Sequence, residues 1–326
     1  MIEKQISRRG RKLAKPAVYG GIVIILTLLP LFIKSSYWLH VLILTLIYII
    51  VTASFRLIAI SGQFSLAHAA FMGIGAYTSA VLSRWFGWSV WLTIPLGALA
   101  AMVIGALIGY PFARLRAVYY ALVSLFFGIG VLQIINALGI WTGSYQGLTG
   151  IPPLFGASKI PYYYFFLGLT SLCLLVMYRL EFCRIGTTLK AIAQSYLVAG
   201  SVGVNEVRYR ILVLAIGCFF AGLAGAGYAQ YNLVLSNLSF NFMATLWIVM
   251  YAIIGGLNSF AGPIIGAAVL IIIPEFARDL KMYTPYVAAA LLLIVVYVIP
   301  QGLAGLPEVI RSWYIRRKAK KVSHAS

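Results

Sequence analysis

The chain has 326 residues, of which 62% are hydrophobic and only 10% are charged, and its formal net charge is +19 at pH 7. A soluble domain cannot cover that much apolar surface, so the composition excludes the soluble globular classes. We predict an all-α, polytopic membrane protein.

About ten apolar segments follow one another along the chain and predict transmembrane or re-entrant helices, because a helix needs about 20 apolar residues to cross a hydrocarbon core of roughly 30 Å. The segments are 17–33, 38–59, 64–82, 90–110, 118–138, 161–178, 211–231, 241–256, 262–274 and 286–303. The first follows a basic tail, residues 1–16, and is too long for a signal peptide, so we predict that it is retained. The eighth and ninth are short, and "GGLNSFAGP" between them predicts either a tight cytoplasmic turn or a re-entrant pair.

Most of the 25 lysines and arginines fall on one side of this arrangement when the N-terminus is placed in the cytoplasm. That side holds the tail 1–16, Arg56, Arg114, the loop at about 183–210 and the basic tail 307–326. Because cytoplasmic loops carry the positive excess, we predict that both termini are cytoplasmic. The net charge then reflects orientation and contact with anionic membrane lipid, and we expect no nucleic-acid partner. The opposite side holds few cations, namely Lys34, Arg84, Lys159, Arg278 and Lys281.

The residues needed for catalysis are scarce. The three histidines (His40, His68 and His324) do not cluster with the six acidic residues, so there is no zinc site, and the acids form no carboxylate pair. The chain has no Gly-Lys dipeptide and therefore no P-loop to hold ATP phosphates, and its three cysteines lack metal-ligand spacing. We expect no enzymatic activity and no metal or cofactor on this chain; if ATP drives its function, ATP and magnesium bind to partner subunits.

Small residues four positions apart recur in the apolar segments, in the pattern that lets membrane helices approach closely. We predict that they mark helix contacts, and they are Gly105 with Gly109, Gly217 with Ala221 and Gly225, and Gly262 with Gly266.

The third apolar segment, in "SGQFSLAHAAFMGIGAYTSAVL", carries polar groups where a membrane helix is expected. Polar side chains in a membrane normally face the bundle interior. Gln63, Ser65 and His68 near its start therefore either line a translocation path or, in the case of His68, form a hydrogen bond between helices. Gly73 and Gly75 leave room for a moving ligand or for a neighbouring helix. Weaker path candidates of the same kind lie in the fifth segment, Gln133 and Asn136.

Two segments outside the apolar stretches are candidates for partner contacts. Leu138–Gly156, within an external loop at about 139–160, is either an ordinary solvated loop or a docking surface for an external partner. In the cytoplasmic loop, Thr187 or Thr188 is predicted to cap a short helix running to about Ala199, with glycines ending it. That helix either contacts a peripheral subunit or rests on the membrane surface.

Six stretches together resemble the LivM-type permeases, the inner-membrane subunits of ABC importers for branched-chain amino acids. They are "SGQFSLAHAAFMGIGAYTSAVL", "ARLRAVYYALVSL", "TGSYQGLTGIP", "RIGTTLKAIA" followed by "AGSVGVN", "FFAGLAGAGYA" and "IIGGLNSFAGPIIGA". The resemblance implies a permease domain at 17–306 in a bacterial inner membrane, a second homologous permease, two cytoplasmic ATPases and a periplasmic binding protein. It also implies a loop that couples to the ATPases, containing Arg184, Gly186, Thr187, Lys190, Ala193, Gly200 and Gly203.

The resemblance has departures, and two other functions stay open. Family members usually carry arginine and acidic residues after "LKAI", where this chain has Ala193, Gln194, Ser195 and Tyr196. Import of branched-chain or similar hydrophobic amino acids by ATP-driven alternating access is the implied function. A permease for urea or short amides is an alternative within the superfamily. A self-contained secondary transporter is the other, although no predicted span holds an acidic residue for ion coupling except Glu275 at an end.

Overall fold

The computed structural model describes residues 26–30, 35–115, 117–156, 158–276, 293 and 302–305. Within those ranges the chain is helical, and its one isolated β-bridge joins Leu148 to Leu235. We number the α-helices in chain order: α1 Ser36–Ala59, α2 His68–Trp85, α3 Val90–Ala113, α4 Ala117–Ala137, α5 Lys159–Phe182, α6 Arg184–Gln194, α7 Tyr196–Ser201, α8 Glu206–Asn232, α9 Phe242–Gly255 and α10 Gly262–Phe276. Short 3-10 helices in the described part of the chain are Ser144–Gln146, Asn237–Phe240 and Leu303–Gly305.

The helices confirm an all-α membrane protein. Among the described residues, six helical stretches are long and apolar enough to cross a membrane: Ser36–Ala59, Val90–Ala113, Val118–Ala137, Lys159–Phe182, Glu206–Asn232 and Asn237–Gly255. A helix occurs at each of the second to ninth predicted segments. Most of the first and last segments, both basic tails, and Lys34, Arg278 and Lys281 lie outside the described residues.

The core of the bundle is built around α8, which packs against α1, α2 and α3. Glycines make these crossings close. A methyl group on Gly75 would collide with the backbone of Gly222, and one on Gly225 would collide with the carbonyl of Met72. Gly105 faces Cys218 in the same way, with 2.7 Å between its ideal Cβ position and the sulfur. The small-residue spacing therefore correctly marks helix contacts.

The short helices α9 and α10 pack against each other through glycine. At 14 and 15 residues they are roughly 21 and 22 Å long, which is less than a hydrocarbon core of about 30 Å. A side chain on Gly255 would collide with the carbonyl of Gly262, and Gly256 has a φ of +102°, which favours glycine. Their connection is thus a tight turn, residues 256–261.

The N-terminal end of α9 lies inside the bundle. Phe240, just before α9, packs against Gly73 in α2, with 3.1 Å from its Cβ to the ideal Cβ position of the glycine. The hydroxyl of Thr245 accepts a hydrogen bond from the backbone nitrogen of Ala69 at 3.2 Å. The chain therefore reaches α9 through backbone that is not α-helical, which a membrane tolerates where protein surrounds it.

Charged residues separate to the two ends of the bundle. At one end, Lys159 at the start of α5 donates to the carbonyl of Ser36 at 3.0 Å. At the other end, Arg56 of α1 pairs with Glu181 of α5. Helices α1 and α5 are therefore parallel. The end with Arg56 also carries α6 and the turn 256–261, since Lys190 and the Leu257 carbonyl both join this ion pair.

Candidate functional site

His68 begins α2 and is fully buried against α1. Its Nε2 lies 2.8 Å from Ser54 Oγ and 3.1 Å from the Val51 carbonyl oxygen. The Ser54 hydroxyl already donates to the Val51 carbonyl, so Nε2 is the donor to both oxygens. The imidazole also meets the ring of Phe55 edge-on, with 5.6 Å between centroids. These contacts form a hydrogen-bonded link between α1 and α2, which was one of the two interpretations of this histidine.

Gln63 and Ser65 are buried in the connection between α1 and α2. Gln63 accepts a hydrogen bond from Ser61 at 3.4 Å, and Ser65 accepts one from the backbone nitrogen of Ala67 at 3.4 Å. Both side chains therefore hold the turn that leads into α2. The two glycines of α2 have neighbouring protein beside them in this conformation, Phe240 at Gly73 and the backbone of α8 at Gly75.

The two polar candidates on α4 have different surroundings. Gln133 is exposed on the outer face of this helix, away from the interior of the chain. Asn136 is partly buried, and its Oδ1 accepts a hydrogen bond of 2.6 Å from Nδ2 of Asn237. The structure thus joins Asn136 to the segment leading into α9 and leaves Gln133 on the surface of this chain.

An apolar groove lies between α2, α4 and the start of α9, and the sequence did not reveal it. Its cavity volume is only about 10 Å³, roughly the space for one water molecule, and its lining includes Leu66 and Ala70 on one side and Leu125, Ile129 and Leu132 on the other. Asn241 and Thr245 bring polar atoms to its edge. The sequence carried no signal for this groove because its residues come from three segments that are distant along the chain.

The cytoplasmic loop contains two helices, and the prediction of one helix was wrong. The first, α6, starts at Arg184, so Thr187 and Thr188 lie within it and their hydroxyls donate to the Arg184 carbonyl at 2.8 and 2.9 Å. The chain breaks at Ser195, whose extended backbone ends α6 and whose hydroxyl caps α7 by accepting from the Val198 nitrogen. Serine competes with the backbone for hydrogen bonds in this way, which favours a helix start over a helix interior.

The glycines of this loop differ in their surroundings. Gly186 lies against the end of α5, where an added methyl group would collide with the backbone of Glu181. Gly200 lies inside α7 with open space beside it, and Gly203 follows that helix with a φ of +83°. Gly203 therefore needs the conformational freedom of glycine, and Gly200 does not.

Helices α6 and α7 present an exposed surface at the Arg56 end of the bundle. The buried side of α6 consists of Gly186, Leu189 and Ile192, at the spacing of one helix face. Leu197, Val198 and Val202 are 69%, 65% and 75% exposed. Arg184, Thr187 and Ala193 are exposed as well, and Lys190 is half-buried. The sequence-predicted coupling residues thus share one end of the molecule.

The external loop folds partly back onto the bundle. Leu148 is buried and exchanges two backbone hydrogen bonds with Leu235, at 2.8 and 2.9 Å. Trp141 stacks on Phe86, with 6.1 Å between ring centroids, while Tyr145 is 73% exposed. The loop is therefore held in place at its centre and leaves aromatic surface open.

The described residues define the class as a polytopic helical membrane protein whose helices meet at glycines. The family described as "branched-chain amino acid transport system / permease component" matches residues 37–300. Because this match covers most of the chain, the protein belongs to that family. The resemblance to LivM-type permeases is thereby confirmed.

Individual relatives agree with this assignment. The chain is 28% identical to the high-affinity branched-chain amino acid transport system permease protein LivM of Salmonella typhimurium, over 93% of this chain and 80% of that protein. It is 29% identical to LivM of Escherichia coli, over 90% and 78%. The LivH permease protein of Escherichia coli is 29% identical over 77% of this chain and 88% of its own length. No solved structure matches the chain.

Proposed function

We propose that this chain is the transmembrane permease subunit of an ABC importer that moves branched-chain or similar hydrophobic amino acids into the cytoplasm. The observation that carries the proposal is the family match over residues 37–300. Two relatives that match about nine-tenths of the chain are named permease proteins of high-affinity branched-chain amino acid transport systems. Because the sequence has no P-loop, ATP and magnesium bind to partner subunits.

The partners follow from the relatives and from the surfaces of the fold. Both LivM and LivH of Escherichia coli resemble this chain, which supports pairing with a second, homologous permease. One of two cytoplasmic ATPases docks on α6 and α7 of this chain, where exposed Leu197, Val198 and Val202 give an apolar contact, and the other docks on the second permease. A periplasmic binding protein delivers substrate at the opposite end, near the loop 139–160. In this proposal both termini lie in the cytoplasm of a bacterium and the helices lie in its inner membrane.

Transport proceeds by alternating access, with the ATPases closing on ATP and displacing α6 and α7. The path passes between α2, α4 and α9, where leucine and isoleucine side chains line a groove that is too narrow for an amino acid in this conformation and that opens when the helices move apart. Gly73, Gly75 and Asn136 lie on the elements that border this groove. Gln133 is exposed on the outer face of α4, outside the groove. His68 lies away from this groove and fixes α2 against α1, while Gln63 and Ser65 hold the turn between these two helices.

Purification in mild detergent tests the proposal directly. We expect the chain to co-purify with a second permease and with ATPase subunits. Isolation of an active lone transporter that needs no ATPase would overturn it and would favour a secondary transporter.

A further inference from the structure

A buried ion pair links α1 to α5 at the end of the bundle that carries α6. Arg56 and Glu181 have side chains that are only 4% and 3% exposed. Both terminal nitrogens of Arg56 donate to the Glu181 carboxylate, Nη1 to Oε2 and Nη2 to Oε1, the latter at 3.0 Å. Such a two-point pair fixes the relative orientation of the guanidinium and the carboxylate. The ends of α1 and α5 are therefore held rigidly together.

The same carboxylate reaches the cytoplasmic helix α6. Lys190 Nζ donates to Glu181 Oε1 at 2.9 Å, and its side chain remains 43% exposed. Gly186, one turn earlier in α6, lies against the backbone of Glu181 without a side chain between them. Helix α6 thus contacts Glu181 at its backbone and at its carboxylate. A displacement of α6 therefore shifts Glu181 or breaks its contacts with α6.

The remaining donor of Arg56 extends the cluster to the turn between α9 and α10. Arg56 Nε donates to the Leu257 carbonyl oxygen at 2.8 Å, and the guanidinium lies 5.9 Å from the ring centre of Phe260. All three kinds of Arg56 nitrogen therefore have acceptors. Through one arginine and one glutamate, α6 is connected to α1, to α5 and to the turn 256–261, beyond which α9 runs to the apolar groove.

The ion pairs of Glu181 differ in strength because Arg56 is buried and Lys190 is partly exposed. A buried charge left without its partner is strongly unfavourable, so Arg56 and Glu181 stay together when the surrounding helices move. The bond from Lys190 is weaker because its ammonium is partly in water, where ion pairs contribute little. The Arg56–Glu181 pair is therefore the strong contact, inside the bundle, and the Lys190–Glu181 bond is the weak one, on α6. A weak contact of this kind can break and re-form during a transport cycle.

We propose that Glu181 is a positioning residue that transmits movement of α6 to α1 and to the turn 256–261. The inference rests on the proposed function, since it takes α6 to be displaced by the ATPases. In this conformation Lys190 holds α6 against Glu181. When the ATPases move α6, the Lys190 contact changes, and the Arg56–Glu181 pair carries the shift to the helices beside the groove.

The test uses the assembled importer in proteoliposomes and measures labelled leucine imported per ATP hydrolysed. Lys190→Met removes the contact but leaves the buried pair intact, so we expect the complex to assemble. Imported leucine per ATP should fall at least about fivefold, the lower range of coupling between distant sites. Lys190→Arg keeps a charged donor and should restore the ratio. Arg179→Met, which removes one exposed cation from the same end of α5, should match the unmodified importer.

Several results would overturn the inference. If Lys190→Met imports as much leucine per ATP as the unmodified importer, with or without a lower yield of complex, the cluster only stabilises the fold and does not transmit movement. An equal fall in Arg179→Met would assign the effect to surface charge. If Lys190→Met does not assemble, the double variant Arg56→Met with Glu181→Met replaces the buried pair by apolar side chains, an exchange that bundles tolerate. A normal ratio there would also refute the role of Glu181. Failure of the proposed function is distinguishable, because the unmodified importer would then show no ATP-dependent import.

Discussion

Replacing His68 separates a packing role from a direct role in the transport path. The histidine makes two hydrogen-bond contacts to α1, at 2.8 Å to Ser54 and 3.1 Å to Val51, and both are inside the protein. Losing such a bond within a membrane typically costs about 0.6 kcal/mol and up to roughly 2 kcal/mol. Proteins unfold at a cost of about 5–15 kcal/mol, so a bundle lacking this link still folds.

The assay compares His68→Leu, which keeps bulk only, with His68→Gln, which keeps a hydrogen-bond donor. We expect the leucine variant to lower the amount of assembled complex and the uptake of leucine in parallel. Uptake per assembled complex should then equal that of the unmodified importer in both variants. A loss of per-complex uptake in His68→Leu that His68→Gln retains would refute this reasoning and place the imidazole in the path itself.

Three further predictions follow from the helix contacts and the loops. Gly225→Leu should destabilise the folded protein by about 3 kcal/mol or more, because the new side chain would collide with the backbone of α2, and the amount of protein in the membrane should drop. The control Gly130→Leu places its side chain in open space and should not lower that amount. Gly200→Leu should leave folded permease but reduce substrate-stimulated ATP hydrolysis, and unchanged stimulation would place the ATPase contact elsewhere. Reporter fusions after Ser144 should read outside and those after Gln194 inside; a periplasmic signal from the second would reverse the orientation.

The helices of the bundle were predictable because each one depends mainly on the residues of its own segment. Runs of apolar residues with glycine and proline between them placed eight of the helices, since each segment must satisfy its backbone within the membrane by itself. The break at Ser195 was missed because an apolar pattern alone continues past it. Only the competition between the serine hydroxyl and the backbone ends α6 there.

The cluster of Arg56, Glu181 and Lys190 was less predictable because it depends on contacts between residues that are distant along the chain. The sixth predicted apolar segment ends at residue 178, so Glu181 lies beyond it and carried no signal of its own. In the structure α5 continues to Phe182, and Arg56 neutralises the carboxylate from a helix more than a hundred residues away. Sequence pattern reports which residues are apolar. It does not report which distant charge meets a glutamate at the end of a helix.

Leucine uptake by proteoliposomes that contain the purified complex tests the proposed function most directly. We expect uptake to require ATP on the side of the membrane where the ATPases lie and the binding protein on the other side. Unlabelled isoleucine or valine should compete with leucine, and urea should not. Leucine uptake by this chain alone, driven by an ion or proton gradient without ATP, would contradict the proposed function.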